Sequence, residues 1–200
     1  METQSDTGVT AMTATIGVIE QGILRRASGY VELGELLISG EDSPPTAAVK
    51  VLGRALGELA SLSDSIRQKP LASLLEGEAL RALGHWSQAI PPLTRATAGG
   101  RRDGRVEAWM GLGWCWKRLG QLDTAIEVIC QGLAAFPDQP ILHYNLACYH
   151  SLAGDVQAAI DHLTKAIEID GRFRDLTGAE RDFDAIRADP RFVAAVHVTV

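Results

Sequence analysis

A pattern of small residues, present in three copies, limits what this 200-residue chain can fold into. Gly84, Gly120 and Gly154 each follow an apolar stretch, with spacings of 36 and then 34 residues. Each copy has another small residue seven positions before this glycine and two more at fixed positions after it. These are Gly77, Gly113 and Ala147 before it, then Ala89, Ala125 and Ala159, then Ala96, Gly132 and Ala166. Self-similarity at this period is typical of a stacked repeat protein.

The physical interpretation of one copy is a hairpin of two helices. A glycine after an apolar run can take the left-handed conformation that ends a helix, and Asp123 and Asp155 stand where an N-cap of the next helix is expected. Small residues on both sides of the turn let the two helix axes approach closely. One hairpin cannot bury its apolar face alone, so the copies must stack. The fold class predicted is therefore all-α.

The third copy resembles the tetratricopeptide repeat, through the residues Trp109, Leu112-Gly113, Trp116, Gly120, Ala125 and Pro137. The resemblance covers roughly Ser28 to Phe192, and the tail around Asp189-Pro190-Arg191-Phe192 is similar to the ending of bacterial domains of this type. It implies a right-handed superhelix of about four helix hairpins, with capping helices at both ends.

The predicted organisation has four parts. Residues 1–12 are expected to be a disordered N-terminus, and the helical spacing of Met12, Ile16, Ile19 and Ile23 predicts a helix over 13–27. This helix could be separate from the first repeat or continuous with it. The repeat array covers 28–170, and 171–200 form a C-terminal capping segment with Phe183, Ile186 and Phe192 as inward anchors. The four repeats are 28–61, 70–98, 105–137 and 140–170.

Composition excludes several classes of protein. The chain has 19 Lys and Arg against 25 Asp and Glu, a net charge of −6 without a basic stripe, which argues against a nucleic-acid partner. No apolar run reaches the roughly 18 residues of a membrane span. Its three cysteines are too few for a disulfide framework, and the N-terminus lacks the features of a secretory signal. A reducing cytoplasm is therefore the expected location.

No set of residues predicts catalysis, cofactor binding or a metal. His143 and His150 are seven residues apart on one predicted helix, which places them about 10 Å apart along the axis. That is too far for one metal ion without a third element. A phosphate-binding loop and a serine nucleophile elbow are both missing from the sequence. We therefore expect a protein that is not an enzyme and needs no cofactor.

The resemblance implies a function for the first helices of the hairpins, because these line the groove of a tetratricopeptide superhelix. An aromatic pair, Trp114 and Tyr144, with charges around it suits a peptide or helix from a protein partner. An alternative is a self-assembling, homo-oligomeric structural or adaptor subunit that is accessory to an enzyme complex. The C-terminal segment could also cover part of the groove. The groove residues predicted are Leu74, Glu78, Arg81, Met110, Trp114, Lys117, Ile141 and Tyr144.

Overall fold

The computed structural model describes residues 5–38, 43–98 and 105–197, and the side chains from residue 17 to residue 196 within those ranges. Every regular element in these ranges is a helix, which confirms the all-α class. None of these helices is both long and apolar enough to cross a bilayer. The chain divides into two compact units, Met1–Ala98 and Gly99–Val200, so the repeat array predicted as one body is described as two.

The described residues of unit 1 form five helices: α1 (Ser5–Leu36), α2 (Thr46–Ala60), α3 (Asp64–Arg67), α4 (Pro70–Ala82) and α5 (Trp86–Thr97). The first hairpin pairs α1 with α2 and the second pairs α4 with α5, while α4 also packs against both helices of the first hairpin. The core between them consists largely of alanine and leucine, for example Ala27, Leu52 and Ala79. These contacts are those of two stacked repeats.

Six α-helices and one short 3₁₀ helix occur in the part of unit 2 that the structure describes. Two hairpins come first, made of α6 (Val106–Arg118) with α7 (Leu122–Ala135) and of α8 (Pro140–Ala153) with α9 (Val156–Ile169). The capping segment follows as α10 (Arg172–Leu176), the 3₁₀ helix (Arg181–Phe183) and α11 (Pro190–His197). The predicted anchors Phe183, Ile186 and Phe192 are all buried, which confirms their inward position.

The three repeated glycines end helices, as their position in the sequence predicts. Gly84, Gly120 and Gly154 have φ values of +77°, +75° and +79°, and they are the only residues with positive φ in the described ranges. A side chain would be strained in this conformation, which explains why glycine follows each first helix. The Asp155 carboxylate caps α9 by accepting a hydrogen bond from the Ala158 N–H, as predicted. Asp123, by contrast, lies inside the first turn of α7, whose N-cap is Gln121.

The small residues before each turn lie where the two helices of a hairpin are closest. A Cβ added at Gly77 would stand 2.5 Å from Leu93 Cγ and 3.2 Å from the Leu93 backbone nitrogen. A Cβ at Gly113 would stand 2.6 Å from Ile129 Cδ1. Leu93 and Ile129 are themselves fully buried and have little room to move. The glycines therefore set the distance between the paired helices.

The N-terminal part of the chain differs from the prediction. Residues 5–12, expected to be disordered, belong to α1, and residues 1–4 lie outside the described part. The predicted boundary between residues 27 and 28 falls within α1, which is one continuous helix. The physical reason is that Ile23, Ala27 and Val31 follow helical spacing across that boundary and are all buried in unit 1.

Glycines at close approach and glycines at open positions should respond oppositely to alanine. We expect Gly77→Ala to lower the free energy of unfolding by about 1–3 kcal/mol, because Leu93 must shift to make room. We expect the control Gly53→Ala, in α2 with open space at its Cβ, to raise it by up to about 1 kcal/mol. Urea denaturation of both variants measures the difference. Equal effects at the two positions would contradict this account of the hairpin.

Candidate functional site

The predicted groove residues fall on the first helices of both units. Unit 1 contributes the predicted residues Leu74, Glu78 and Arg81 from α4. Two further residues are included with them: Glu35 of α1, which forms an ion pair with Arg81, and Leu71 of α4. These five residues are called the first-helix face of unit 1. The first-helix face of unit 2 consists of Met110, Trp114 and Lys117 on α6 and Ile141, Tyr144, Cys148 and Ser151 on α8.

The first-helix face of unit 2 is covered by residues 172–192, which are called the C-terminal segment. The Tyr144 ring lies 5.1 Å from the Phe173 ring and 5.7 Å from the Phe183 ring, measured between centroids. Phe183 in turn contacts Phe192 at 5.3 Å. These separations are typical of favourable aromatic pairs. The C-terminal segment therefore packs on the aromatic residue that was predicted to receive a partner.

Polar contacts hold the same segment at its centre. Lys117 Nζ lies 2.5 Å from Asp182 Oδ2, and only 13% and 15% of these two side chains are exposed. The Ser151 hydroxyl donates a hydrogen bond of 2.7 Å to the backbone carbonyl of Asp182. Arg187 donates to the carbonyls of Thr177 and Glu180, which keeps the turn before Asp182 in place. The segment is thus held by an ion pair as well as by its phenylalanines.

Two of the predicted groove residues are therefore not available in unit 2. Tyr144 is buried, its hydroxyl has no hydrogen-bond partner among the described residues, and burial raises its pKa. Lys117 is engaged by Asp182 and also lies 4.8 Å from the centre of the Trp114 ring, in a cation–π contact. In this unit Phe173 and Phe183 pack on the aromatic part of the predicted groove, in line with the alternative in which the C-terminal segment covers part of it.

Met110, Trp114 and Ile141 complete the face of unit 2, and all three are partly buried. Met110 and Ile141 pack against the core that includes Tyr144 and Phe183. The Trp114 ring instead lies beside two cations of its own helix, with Lys117 Nζ 4.8 Å and the Arg118 guanidinium 5.9 Å from its centre.

The first-helix face of unit 1 is built around a charged group instead. Arg81 Nη2 lies 2.5 Å from Glu35 Oε1 and 2.5 Å from Glu78 Oε2, so one guanidinium binds two carboxylates. Burial raises the pKa of Glu78, which Arg81 opposes and Glu35 reinforces. Beside this cluster Leu74 is buried, while Leu71 keeps 38% of its surface exposed. This face offers negative charge next to an accessible aliphatic side chain.

A cluster of three histidines, which the sequence did not predict, lies between α8 and α9. His143 Nδ1 is 3.1 Å from His162 Nδ1, and the rings of His150 and His162 stack with centroids 5.6 Å apart. His162, on α9, contacts both histidines of α8, a proximity that the sequence did not predict. Burial, and then the charges of His143 and His150, lower the pKa of His162 to about 4.

The geometry of this cluster indicates a hydrogen bond between imidazoles. The centroids of His143 and His162 are 5.4 Å apart, which exceeds the Nδ1–Nδ1 distance by about one ring diameter. The two nitrogens consequently face each other head-on, whereas metal ligands direct their lone pairs to a common third point. No group of three or more potential ligands that could hold a metal ion occurs in the described part of the chain.

Comparisons with known proteins agree with these repeats. A family model described as tetratricopeptide repeat matches residues 74–140 and 117–172. The chain contains tetratricopeptide repeats over residues 74–172. The tetratricopeptide repeat-containing protein trd-1 of Caenorhabditis elegans is 27% identical over 154 residues, which are 76% of this chain. Because those residues are 17% of the length of trd-1, the match concerns a minor part of that protein.

Two solved structures show the same fold. MamA from Desulfovibrio magneticus RS-1 (residues 41 to the end) is 17% identical, with a TM-score of 0.53 and coverage of 85% of this chain and 93% of that one. A thermophilic tetratricopeptide repeat protein from Thermus thermophilus is 21% identical, with a TM-score of 0.52 and coverage of 84% and 98%. At this level of identity the likeness concerns the fold of the repeats.

The lowered pKa of His162 predicts a loss of stability in acid. Between pH 6.5, the ordinary value for an unfolded chain, and about 4, the unfolded state binds more protons, so the free energy of unfolding falls as the pH falls. With allowance for partial exposure, we expect His162 to account for roughly 1–2 kcal/mol of this loss. Urea denaturation at about pH 7 and at about pH 4.5 measures this change in the free energy of unfolding, because these two pH values enclose most of the range between the two pKa values.

The matched variants are His162→Gln and His85→Gln, the second at an exposed histidine outside the cluster. His162→Gln should lessen the dependence of stability on pH, and His85→Gln should keep it. If the free energy of unfolding depends on pH equally in the wild type and in His162→Gln, then His162 is not the cause of the loss of stability in acid.

Proposed function

We propose that this chain is a non-catalytic scaffold that holds a peptide or a helix of a partner protein on the first helices of its repeats. The observation that supports the proposal is the C-terminal segment itself. Short helices and turns of the chain lie on the first-helix face of unit 2, held there by the Lys117–Asp182 ion pair and by Phe183 on Tyr144. A surface that holds such a segment from its own chain has the properties needed to hold one from a partner.

The proposed binding surface is the first-helix face of unit 1. In unit 2 Tyr144, Lys117 and Ser151 contact the C-terminal segment. Replacing that segment would expose its phenylalanines Phe173, Phe183 and Phe192 to water at a cost of about 2 kcal/mol or more for each ring. In unit 1 Leu71 and Glu35 remain accessible. Glu78 and Arg81 therefore stay in the proposed site, with Leu74 buried beside them, whereas the predicted residues of unit 2 are proposed to bind the segment.

The non-catalytic character is supported by the family. Tetratricopeptide repeats stack to form extended surfaces, which are used for binding. The polar clusters described above consist of ion pairs and a histidine hydrogen bond whose members already engage one another.

Site-specific crosslinking tests this proposal for a protein partner of any identity. A photoreactive amino acid is introduced at Leu71 in one variant and at Val49 in another. Val49 is a matched control, because it is an aliphatic residue of unit 1 with 43% exposure that lies on the second helix α2. We expect crosslinked partner from the Leu71 variant in cells and several times less from the Val49 variant.

Two other outcomes would change the account. Equal or stronger crosslinking from Val49 would place binding outside the first-helix face. Crosslinking of Leu71 to a second copy of this chain would support self-assembly in place of a foreign partner.

A further inference from the structure

We infer that the first-helix face of unit 1 binds a segment carrying a lysine or arginine next to an aliphatic side chain. This inference rests on the proposed function and specifies the chemistry of the partner. It follows from a comparison of the same repeat position in the two units.

One position of the repeat contacts the C-terminal segment in unit 2, and it has an equivalent in unit 1. Arg81, Lys117 and Ser151 each stand three residues before a helix-ending glycine. In unit 2 both members of this set contact one residue of the C-terminal segment: Lys117 pairs with the Asp182 carboxylate and Ser151 donates to the Asp182 carbonyl. Unit 2 therefore shows how a segment is held at this position, and the side chain that it selects there is acidic.

In unit 1 the same position has the opposite requirement. The Arg81 guanidinium already contacts two carboxylates of its own unit, from Glu35 and Glu78. Two negative charges against one positive charge disfavour another carboxylate and favour an additional cation. An acidic segment like that around Asp182 would be repelled here. A lysine or arginine of a partner would place a further cation beside these two carboxylates.

The accessibility of the two carboxylates also fits a partner cation. Glu35 keeps 40% of its side chain exposed, so an incoming ammonium or guanidinium group can reach it. Glu78 is more enclosed, with 14% exposure, and burial followed by the nearby Glu35 raises its pKa. A second cation would stabilise the ionised form of Glu78 and offset the effect of Glu35.

An aliphatic contact lies on the same side of α4. Leu71, Leu74 and Glu78 follow the spacing i, i+3 and i+7, which places them along one face of the helix. Leu74 is buried, so Leu71 is the member of the set that is left to contact a partner. Leu71 and Glu78 are seven residues apart, about 10 Å along the helix axis, so a small aliphatic side chain about two helical turns from the cation would cover Leu71.

Synthetic peptides of one length test this inference with the full chain. Three fluorescein-labelled peptides of about 12 residues carry leucine at the same positions and lysine, glutamate or glutamine at the others, and fluorescence anisotropy measures their binding. We expect the lysine peptide to bind at least about tenfold more tightly than the glutamine peptide, and the glutamate peptide to bind more weakly than both.

Variants separate recognition at the site from general attraction to an acidic chain. Glu35→Gln should weaken binding of the lysine peptide about five- to tenfold, because a charged contact is lost. The control Glu58→Gln removes the same charge from α2, where Glu58 pairs with Arg26, and should leave binding unchanged. Circular dichroism shows that both variants are folded. Equal weakening by the two variants, or equal binding of the lysine and glutamate peptides, would overturn the inference.

The outcome can be told apart from failure of the proposed function. If crosslinking at Leu71 exceeds that at Val49 while the peptides show no preference for lysine, the binding face stands and its charge selectivity is wrong. If Leu71 gives no more crosslinking than Val49, the proposed face itself is wrong.

Discussion

The close approach of paired helices at small residues is the constraint on which the rest of the structure depends. Gly77 against Leu93 and Gly113 against Ile129 allow the two helices of a hairpin to pack with a fully buried aliphatic side chain between them. Because every hairpin uses the same register, the first helices present equivalent positions in each repeat. Arg81 and Lys117, each three residues before a helix-ending glycine, belong to this set and form the main charged contacts of the two first-helix faces.

The same backbone arrangement has different consequences in the two units. In unit 2 the position holds Lys117, and the C-terminal segment supplies Asp182 and Phe183 to meet it and Tyr144. In unit 1 it holds Arg81, whose charge is met within the unit by two carboxylates. Repetition thus provides the scaffold, and the substitution of individual side chains decides which face is occupied by the chain itself and which is proposed to receive a partner.

Local signals in the sequence predicted the hairpins, and long-range contacts lay beyond them. The conformation of Gly84, Gly120 and Gly154 and the burial of Phe183 follow from residues within one repeat or one segment. The contact of Phe183 with Tyr144, by contrast, joins residues of separate elements, and so does the pairing of Arg81 with Glu35, 46 residues apart. Spacing along the chain contains no information on which inward-facing ring covers which helix. For the same reason the sequence could place His143 and His150 on one helix but could not bring His162 between them.

The central claim is that the C-terminal segment closes the first-helix face of unit 2, and thiol alkylation of the native protein tests it most directly. Cys148 is buried on this face, Cys115 is buried elsewhere in the unit, and Cys130 is exposed. With iodoacetamide and mass spectrometry of each cysteine, the account predicts rapid modification of Cys130. Modification of Cys148 should be at least about 100-fold slower, since the segment must first open and every 1.4 kcal/mol of opening free energy is worth about tenfold. Modification of Cys148 at a rate close to that of Cys130, with Cys115 still protected, would contradict the claim and leave this face open to a partner.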